Sequence, residues 1–565
     1  MSASTADLPR PSRASTRGTP RPSKRTRWRA AVLIAVHVAI GLHIAQWQLS
    51  GSTITPIEPS EAGETLTLGY VNAGFIALLL MILSTLVFGR FFCGWACHVV
   101  ALQDASAALL KRIGLKPAPI RSRFLVWIPL LAAVEMFVLP SLLRWWEGGS
   151  APEFRAAFTT TDFWGRFPGL WTALLTFAVD GFVIVYFLGA KGFCTYGCPY
   201  GALFGIADRF APGRIRVTDA CEGCGHCTAT CTSNVDVRAE VAQFGAVVDA
   251  GCMKCLDCVS VCPKDALYFG FRASSSRAPS GSKAKSPDRS KRRSKRDYDF
   301  SLGEEVALLA VFAGAFYAFR NLYGRIPFLL AIGSAVLVAL TALSLWRALR
   351  SRDFRLQHLA VRRGGRWTGL GRVVALSLAG LLFFTTHSAA VQYHARRGRA
   401  LLEDATSLPA GSPQRTAGID ASLAHLEFAG RWGLLDDPRQ LNPLGQILGA
   451  RGDFERARDL ARRSLAVSDE QVAPRLQLID LALFEGDLDR AVAELAALLE
   501  RHPQHDGAEE RLLRVIGADL QRVDAHLLLV RSNLARGLEA EARMGLDWIL
   551  QTFPENGEAR ELAAE

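Results

Sequence analysis

One short segment of this chain, residues 221–262, holds eight cysteines in two runs of identical spacing. Each run reads C-x2-C-x2-C-x3-C; the first consists of Cys221, Cys224, Cys227 and Cys231, and the second of Cys252, Cys255, Cys258 and Cys262. Three cysteines spaced in this way can wrap three corners of an iron–sulfur cubane, and a fourth thiolate must come from elsewhere. This requirement limits what the segment can fold into more than any other feature of the chain.

The spacing is that of two-cluster bacterial ferredoxins, in which the last cysteine of each run ligates the other cluster. We therefore predict two [4Fe-4S] clusters, here named cluster A and cluster B. Cluster A takes Cys221, Cys224, Cys227 and Cys262, and cluster B takes Cys252, Cys255, Cys258 and Cys231. C-x2-C pairs also suit structural zinc, but four-cysteine runs with Pro263 after the second favour clusters. Thr232 follows the first run, where proline is usual.

Composition indicates that this segment belongs to a membrane protein. The chain has 565 residues, of which 50% are hydrophobic, so it is too long for one domain and too apolar to be wholly soluble. Crossing a bilayer takes about 20 apolar residues. Seven such runs occur, near residues 30–48, 69–89, 124–143, 169–190, 303–320, 326–346 and 371–392. The predicted fold class is an α-helical polytopic membrane protein of about seven spans, with an inserted α+β two-cluster ferredoxin domain and a C-terminal all-α domain.

The predicted domain organisation follows from these runs and from shifts in composition. It comprises a disordered basic tail (1–29), a four-span membrane domain (30–200), the ferredoxin domain (201–272), a basic linker (273–300), three further spans (301–395) and a helical repeat domain (396–565). The Ser, Lys, Arg and Pro composition of the linker is typical of disorder. Because the linker directly precedes a span, we expect it to contact anionic lipid rather than nucleic acid.

Charge sets the expected orientation, because cytoplasmic loops hold more Lys and Arg. The N-terminal tail and the loops after spans two and six are basic, whereas residues 50–68 have no basic residue and carry Glu58, Glu61 and Glu64. Residues 401–565 have a net charge of −11, against +23 for residues 1–400. We expect an inner-membrane protein with a cytoplasmic N-terminus and ferredoxin domain and a periplasmic C-terminal domain. Cysteines that must stay reduced fit the cytoplasm.

The remaining four cysteines form two C-x3-C pairs, Cys93 with Cys97 and Cys194 with Cys198, at the predicted cytoplasmic ends of spans two and four. This spacing puts both sulfurs of a pair on one helical face. We name these four the membrane cysteines. They could hold a metal such as copper or iron, hold a third cluster, or shuttle between dithiol and disulfide; alternatively they are packed as small apolar side chains. No residue is assigned a catalytic role.

The two pairs have parallel settings, Phe92-Cys93-Gly94-Trp95-Ala96-Cys97-His98 and Phe193-Cys194-Thr195-Tyr196-Gly197-Cys198-Pro199-Tyr200. With the two-cluster segment directly after them, they resemble the membrane-bound polyferredoxin family over roughly residues 69–270. That family includes NapH-type quinol-oxidising ferredoxins, NosR-type proteins, and CcoG (RdxA, FixG) accessory proteins of haem–copper oxidases. The resemblance implies electron transfer at the inner membrane, through quinol oxidation in the first group and copper reduction in the last. His98 stands where the family has proline.

Ionisable side chains within predicted spans are further candidates for function. Glu135 and Asp180 could accept protons when a quinol is oxidised, or could make helix–helix hydrogen bonds. Histidines in or beside the spans, His37, His43, His387 and His394, could serve as haem ligands, but polar packing explains each of them more simply. His98, beside Cys97, is a possible metal ligand or a solvated interfacial residue.

The C-terminal region contains a repeat. Gly452-Asp453-Phe454-Glu455-Arg456-Ala457 recurs 34 residues later as Gly486-Asp487-Leu488-Asp489-Arg490-Ala491, with a weaker echo at residues 537–542. This period and the positions of Pro503 and Pro554 resemble tetratricopeptide sequences, whose helix pairs stack and bind a protein partner. The alternative is a short helical cap without a partner.

Together these features predict an iron–sulfur electron-transfer protein of the oxidoreductase type, whose partners are lipid, donor and acceptor proteins or quinol, and a protein bound by the repeat domain. Two other classes stay open. A copper-reducing assembly factor would bind soft Cu(I) at the membrane cysteines. A scaffold protein would need its clusters only for folding.

Overall fold

The computed structural model describes residues 21, 24–115, 117, 120–163, 169–271 and 298–564. Most of the predicted basic tail (1–29) and linker (273–300) lies outside these residues. The chain divides into two compact units. The first comprises the chain up to residue 321 together with residues 325–386, and the second comprises residues 322–324 and the chain from residue 387 onward.

Long apolar helices dominate the first unit. Five helices are long and apolar enough to cross a membrane among the described residues: Arg25–Ser50, Leu170–Leu188, Leu302–Phe319, Phe328–Arg350 and Gly369–Thr406. A sixth candidate is a bent pair, Leu125–Phe137 with Leu139–Trp146, whose two parts differ in direction by 44°. The segment predicted as span two contains a helix of 16 residues, Ala73–Phe88. The expectation of several spans is therefore supported, while the count of seven stays a prediction.

The helices of the first unit are α1 (Lys24–Ser50), α2 (Ala62–Leu68), α3 (Ala73–Phe88), α4 (Phe91–Trp95), α5 (His98–Arg112), α6 (Ile128–Phe137), α7 (Leu139–Trp146), α8 (Leu170–Thr176), α9 (Ile184–Leu188), α10 (Gly192–Tyr196), α11 (Pro199–Phe210), α12 (His226–Thr230), α13 (Val237–Phe244), α14 (Asp257–Ser260), α15 (Leu302–Phe319) and α16 (Phe328–Arg350). Helix α17 (Gly369–Thr406) follows them. A π-helical turn, Phe177–Val183, joins α8 to α9. α1 begins within the segment predicted as a tail.

Local sequence explains where these helices bend and pack. Pro140 lies in the first turn of α7, and proline cannot donate the backbone hydrogen bond that would continue α6.

Helix α16 is the most enclosed of the long apolar helices, with 61% of its apolar window buried. Its side chains share an apolar core with residues of α6, α9 and α15. α16 therefore lies at the centre of the helical part of this unit.

The ferredoxin segment is a small α+β fold. Strands β5 (Gly213–Val217) and β6 (Leu267–Phe271) pair antiparallel at its two ends. Between them lie α12, α13 and α14, and the fully buried Ile215 and Val247 lie at the centre of its apolar core. The strand pair brings the ends of the segment together, so the two cysteine runs fold back on each other.

Short strands complete the first unit. β1 (Thr53–Ile54) pairs with β4 (Thr159–Thr160), β2 (Tyr70–Val71) pairs with β3 (Arg155–Ala156), and β7 (Phe354–Leu356), β8 (Leu359–Arg363) and β9 (Arg366–Trp367) form a three-stranded sheet. The first two ladders lie in loops predicted to be on the periplasmic side. The third lies in the basic loop after predicted span six.

The second unit is helical throughout its described residues. After α17 come α18 (Pro413–Trp432), α19 (Pro438–Ala450), α20 (Phe454–Val467), α21 (Val472–Glu485), α22 (Leu488–Arg501), α23 (Asp506–Ala518), α24 (Val523–Ala535), α25 (Glu539–Thr552) and α26 (Gly557–Ala564). Gly452, Gly486 and Gly537 have positive φ in the turns before α20, α22 and α25. Helices α19, α21 and α23 begin 34 residues apart, at Pro438, Val472 and Asp506, so the period of 34 continues into α23. The weaker echo at residues 537–542 comes 51 residues after Gly486 and belongs to a different turn, the one before α25. A tetratricopeptide-like domain remains a prediction.

Candidate iron–sulfur site

Four cysteines line one cavity in the ferredoxin segment, and they are the four predicted to ligate cluster A. The cavity has a volume of about 450 Å³, including the part that opens to solvent, and is lined by Cys221, Cys224, Cys227 and Cys262. Gly223 and Gly225, between the first three cysteines, have φ of 67° and 84°. Glycine adopts this left-handed backbone without steric cost. The loop can therefore wrap around the cavity.

The other four cysteines line a second cavity. Its volume is about 330 Å³, and its lining includes Cys231, Cys252, Cys255 and Cys258. Each cavity thus combines the first three cysteines of one run with the last cysteine of the other, which is the crossed arrangement expected for clusters A and B. The donor set of four thiols around an enclosed space fits a [4Fe-4S] cluster.

The second loop uses side-chain-bearing residues where the first uses glycine. Lys254 and Leu256 occupy the positions equivalent to Gly223 and Gly225, with φ of 50° and 65°. Left-handed backbone costs a residue with a Cβ roughly 1–2 kcal/mol. Such strain persists where the surrounding structure holds the residue in place. Leu256 is buried in the core of the segment, and Lys254 is buried as well.

The cysteines of the two cavities differ in how far they are exposed to water. Cys221 is exposed, whereas Cys258 and Cys262 are buried. Burial raises the pKa of Cys231 to about 12 and that of Cys227 to about 11. Neutral thiols are therefore favoured until a cation binds, and cluster insertion releases protons because the bound form is the thiolate. The backbone N–H of Ala266 donates to the Cys262 sulfur at 3.3 Å, a contact of the kind that adjusts cluster potential.

The membrane cysteines come together at the ends of short helices. Cys93 lies on α4 and Cys194 on α10, while Cys97 and Cys198 are the residues that precede α5 and α11. Cys93 and Cys194 belong to one buried apolar cluster, and Cys97 packs against it. Burial, followed by the proximity of Cys93 and Cys194, raises the pKa of Cys97 to about 12. The sequence predicts both pairs at the cytoplasmic ends of their spans, and the structure brings Cys93, Cys97 and Cys194 together.

Polar side chains from neighbouring elements bond to this group. The side-chain amide of Gln103, on α5, donates to the Cys194 sulfur at 3.0 Å. The buried guanidinium of Arg90 lies within electrostatic range of Cys93, Cys194 and Cys198. A hydrogen-bond donor and a positive charge beside the sulfurs favour a thiolate or a bound anionic centre. Inert packing of four small apolar side chains stays the alternative.

The spacing of the sulfurs bears on what they could hold. In the described part of the chain, no group of three or more His, Cys, Asp or Glu side chains is close enough to hold a single metal ion. This also applies to the eight cysteines that line the two ferredoxin cavities.

The membrane cysteines are joined directly to the loop of cluster B. Gly94 packs so closely on this loop that an added Cβ would lie 2.2 Å from the Met253 carbonyl oxygen. The indole N–H of Trp95 donates to the Lys254 carbonyl oxygen at 3.1 Å. The guanidinium of Arg90 donates to the Ala250 carbonyl oxygen at 2.9 Å. The first C-x3-C motif and the loop from residue 250 to residue 255 therefore form one packed unit.

Comparison with known families covers the same parts of the chain. A family model described as "4Fe-4S binding domain" matches residues 72–116 and 170–218, each of which contains one C-x3-C pair. A model described as "4Fe-4S dicluster domain" matches residues 220–267. The ferredoxin-type protein NapH of Haemophilus influenzae is 26% identical over 41% of this chain and 82% of its own length. Residues 72–116, 170–218 and 220–267 are thus similar to 4Fe-4S proteins of the membrane-bound polyferredoxin type, and we call residues 72–267 the polyferredoxin region.

Other relatives match this polyferredoxin region over part of their length. The methylamine utilization ferredoxin-type protein MauN of Paracoccus denitrificans is 29% identical over 27% of this chain and 52% of its own length. The putative electron transport protein YccM of Escherichia coli is 27% identical over 33% of this chain and 53% of its own length. No solved structure matches the chain.

The other predicted residues of the spans have separate surroundings. Glu135 pairs with Arg320 at 3.2 Å. Asp180 lies in the π-helical turn and is 5% exposed, and neither of its carboxylate oxygens has a hydrogen-bond partner among the described residues. His37 bonds to the Leu33 carbonyl oxygen at 2.7 Å.

The remaining histidines do not form one group. His43 bonds to Thr53 at 2.8 Å, and His394 bonds to His425 at 2.9 Å. The buried Nδ1 atom of His387 has no hydrogen-bond partner. His98 is exposed and lies within electrostatic range of His37. Haem ligation by these residues is therefore not proposed.

Sequence reasoning missed the buried charges around the polyferredoxin region. Asp208 and Lys254 are 2% and 1% exposed and form an ion pair of 2.9 Å. Asp104 binds both Lys191 and Arg29, and all three lie beside the cysteine motifs. The signal in the sequence is weak, since these residues are far apart in the chain and form no motif.

Proposed function

We propose that this chain is a membrane-bound iron–sulfur protein that relays electrons through clusters A and B, in exchange with a redox centre on the membrane cysteines. The observation that carries the proposal is the division of the eight ferredoxin cysteines into two sets of four around adjacent cavities. The packing of Gly94 on Met253 adds a direct path to the membrane. A bound [4Fe-4S] cluster supplies one-electron transfer, and the names of relatives such as NapH and YccM agree with that chemistry.

The chain's own residues would hold these centres and keep water away from them. Cys258 and Cys262 are buried and would hold the inner sides of clusters B and A. Gln103 and Arg90 would stabilise negative charge on the membrane cysteines. Copper reduction at these cysteines is the second candidate, because thiolates suit Cu(I).

The proposed location is the inner membrane, with the N-terminus and the ferredoxin segment in the cytoplasm and the C-terminal domain in the periplasm. The C-terminal helix pairs would dock a partner protein. We propose quinol as the electron donor in the membrane or, for transfer in the opposite direction, quinone as the electron acceptor. Asp180 supports this choice, because its buried carboxylate lies within the span Leu170–Leu188 and could accept a proton from quinol. Neighbouring residues connect Asp180 to the membrane cysteines. Gly181 packs on Leu102, and the next residue, Gln103, donates a hydrogen bond to the Cys194 sulfur.

The test reconstitutes the full chain into liposomes under anaerobic conditions and compares two reductants. A quinol analogue in the membrane and dithionite in the water phase are each added, and cluster reduction is followed by low-temperature EPR. We expect both to reduce the native protein, and dithionite alone to reduce a variant with all four membrane cysteines changed to Ser. Equal quinol-driven reduction of both proteins would refute the role of these cysteines.

A pair of variants tests the proton acceptor in the same assay. Asp180→Asn should slow quinol-driven reduction at least tenfold and leave dithionite-driven reduction unchanged. Glu135→Gln is the control, because Arg320 already neutralises Glu135. If Asp180→Asn has no effect, quinol does not deliver its protons through this residue.

A further inference from the structure

The loop of cluster B contains a lysine in a backbone conformation that glycine normally takes. Lys254 has φ of 50°, and Gly223, at the equivalent position in the loop of cluster A, has φ of 67°. A glycine would therefore fit at position 254 without strain. The presence of lysine indicates that its side chain has a role that the backbone does not provide.

The side chain of Lys254 connects the cluster B loop to the elements that carry the membrane cysteines. It is 1% exposed, and its ammonium lies 2.9 Å and 3.2 Å from the two carboxylate oxygens of Asp208. Asp208 is on α11, the helix that begins directly after Cys198. The same carboxylate accepts a hydrogen bond from the backbone N–H of Arg90, directly before α4, at 2.9 Å. One ion pair thus ties the loop to both C-x3-C motifs.

The loop of cluster A has different surroundings. Lys264, two residues after the cluster A ligand Cys262, pairs with Glu222 of this loop at 3.0 Å, and these two side chains are 55% and 49% exposed. Cys221 is exposed as well. The surface around cluster A is therefore open to a water-soluble protein, whereas the loop of cluster B is packed against the membrane helices.

We propose that Lys254 is a positioning residue that holds cluster B against the membrane cysteines, which makes cluster B the inner member of the relay and cluster A the exchange site for a soluble redox protein. This inference rests on the proposed function. Each step between two centres transfers one electron: one centre is oxidised, its neighbour is reduced, and no bond forms or breaks. A quinol donor gives two electrons, one after the other, to the centre at the membrane cysteines, and its two O–H bonds break to release two protons to Asp180 and to water. A reduced soluble protein instead gives one electron at a time at cluster A.

The charges of the ion pair should also affect the reduction potential of cluster B. A buried ammonium favours the more negative, reduced state of a nearby cluster, and a buried carboxylate opposes it. Removing Lys254 should lower the reduction potential of cluster B, and neutralising Asp208 should raise it. A purely structural role would not give shifts of opposite sign.

The experiment is an EPR redox titration of the full chain in detergent, with cluster B identified as the signal that Cys255→Ser removes. Lys254→Gly should load both clusters, because the cluster A loop has glycine at this place, and should lower the potential of cluster B alone. Asp208→Asn should raise it, and Lys254→Arg should restore the native value. Lys264→Ala is the matched control, since it removes a lysine beside cluster A and should leave cluster B unchanged.

Hydrogen–deuterium exchange of residues 250–258 supplies a second readout that does not depend on electron transfer. Lys254→Gly should speed exchange in this segment at least tenfold, and Lys264→Ala should not. Normal cluster B potential and normal exchange in Lys254→Gly would overturn this inference and leave the proposed function standing. A native chain without reducible clusters would overturn both.

Discussion

The contact between Gly94 and Met253 allows a quantitative prediction for Gly94→Ala. The added Cβ would lie 2.2 Å from the Met253 carbonyl oxygen. Carbon and oxygen normally approach to about 3.3 Å, so helix α4 and the cluster B loop must separate by about 1 Å. Inserting a methyl group into a packed interface costs about 1–3 kcal/mol. Alanine recovers up to about 1 kcal/mol of helix propensity. We expect a net loss of up to about 2 kcal/mol.

Hydrogen–deuterium exchange of residues 250–258 in the full chain measures this loss. A loss of 2 kcal/mol corresponds to opening of the loop that is roughly 30-fold more frequent. Gly205→Ala is the matched control, because Gly205 is also helical and an added Cβ would meet no atom within 4 Å. The reasoning is refuted if Gly94→Ala and Gly205→Ala leave this segment with the same exchange rate and the same cluster B signal.

Three further predictions follow from the same contacts. Cys262→Ser should remove the same EPR signal as Cys224→Ser, because both residues line the cluster A cavity; loss of the other signal would refute the crossed arrangement. Ala491→Leu should lower the stability of the C-terminal unit by about 1–3 kcal/mol in thermal unfolding, since Ala491 is fully buried, and an unchanged midpoint would contradict this packing. Burial lowers the pKa of His526, which stacks on Trp548 at 3.9 Å. The resulting stability is present above the ordinary value of about 6.5 and decreases as the pH falls; His526→Gln should remove this pH dependence, as followed by Trp548 fluorescence.

The cluster cavities could be predicted from the sequence because their geometry is local. The spacing of Cys221, Cys224 and Cys227 fixes three positions on one turn, and the crossed position of Cys262 follows from the known chemistry of paired cubanes. The closeness of the two C-x3-C pairs was also predictable, since both lie at the same end of apolar runs. These features depend on few residues and on covalent spacing.

Other features depend on tertiary contacts that spacing does not encode. The contact of Lys254 with Asp208 joins residues 46 positions apart, and nothing in either local sequence indicates the partner. The bend beside Pro140 and the 16-residue length of α3 leave the number of spans open. In the second unit, the glycine turns before α20 and α22 were predictable, whereas the pair α23 and α24 was not, because no glycine occurs in the turn between these two helices.

The most direct test of the central claim is the iron, copper and acid-labile sulfide content of the anaerobically purified chain, with low-temperature EPR. The same measurement is made on the variant with Cys93, Cys97, Cys194 and Cys198 changed to Ser. We expect two interacting [4Fe-4S] signals in both proteins, and additional iron in the native chain that the variant lacks. Zinc in place of iron in the ferredoxin segment, or identical metal and sulfide contents in the two proteins, would contradict it.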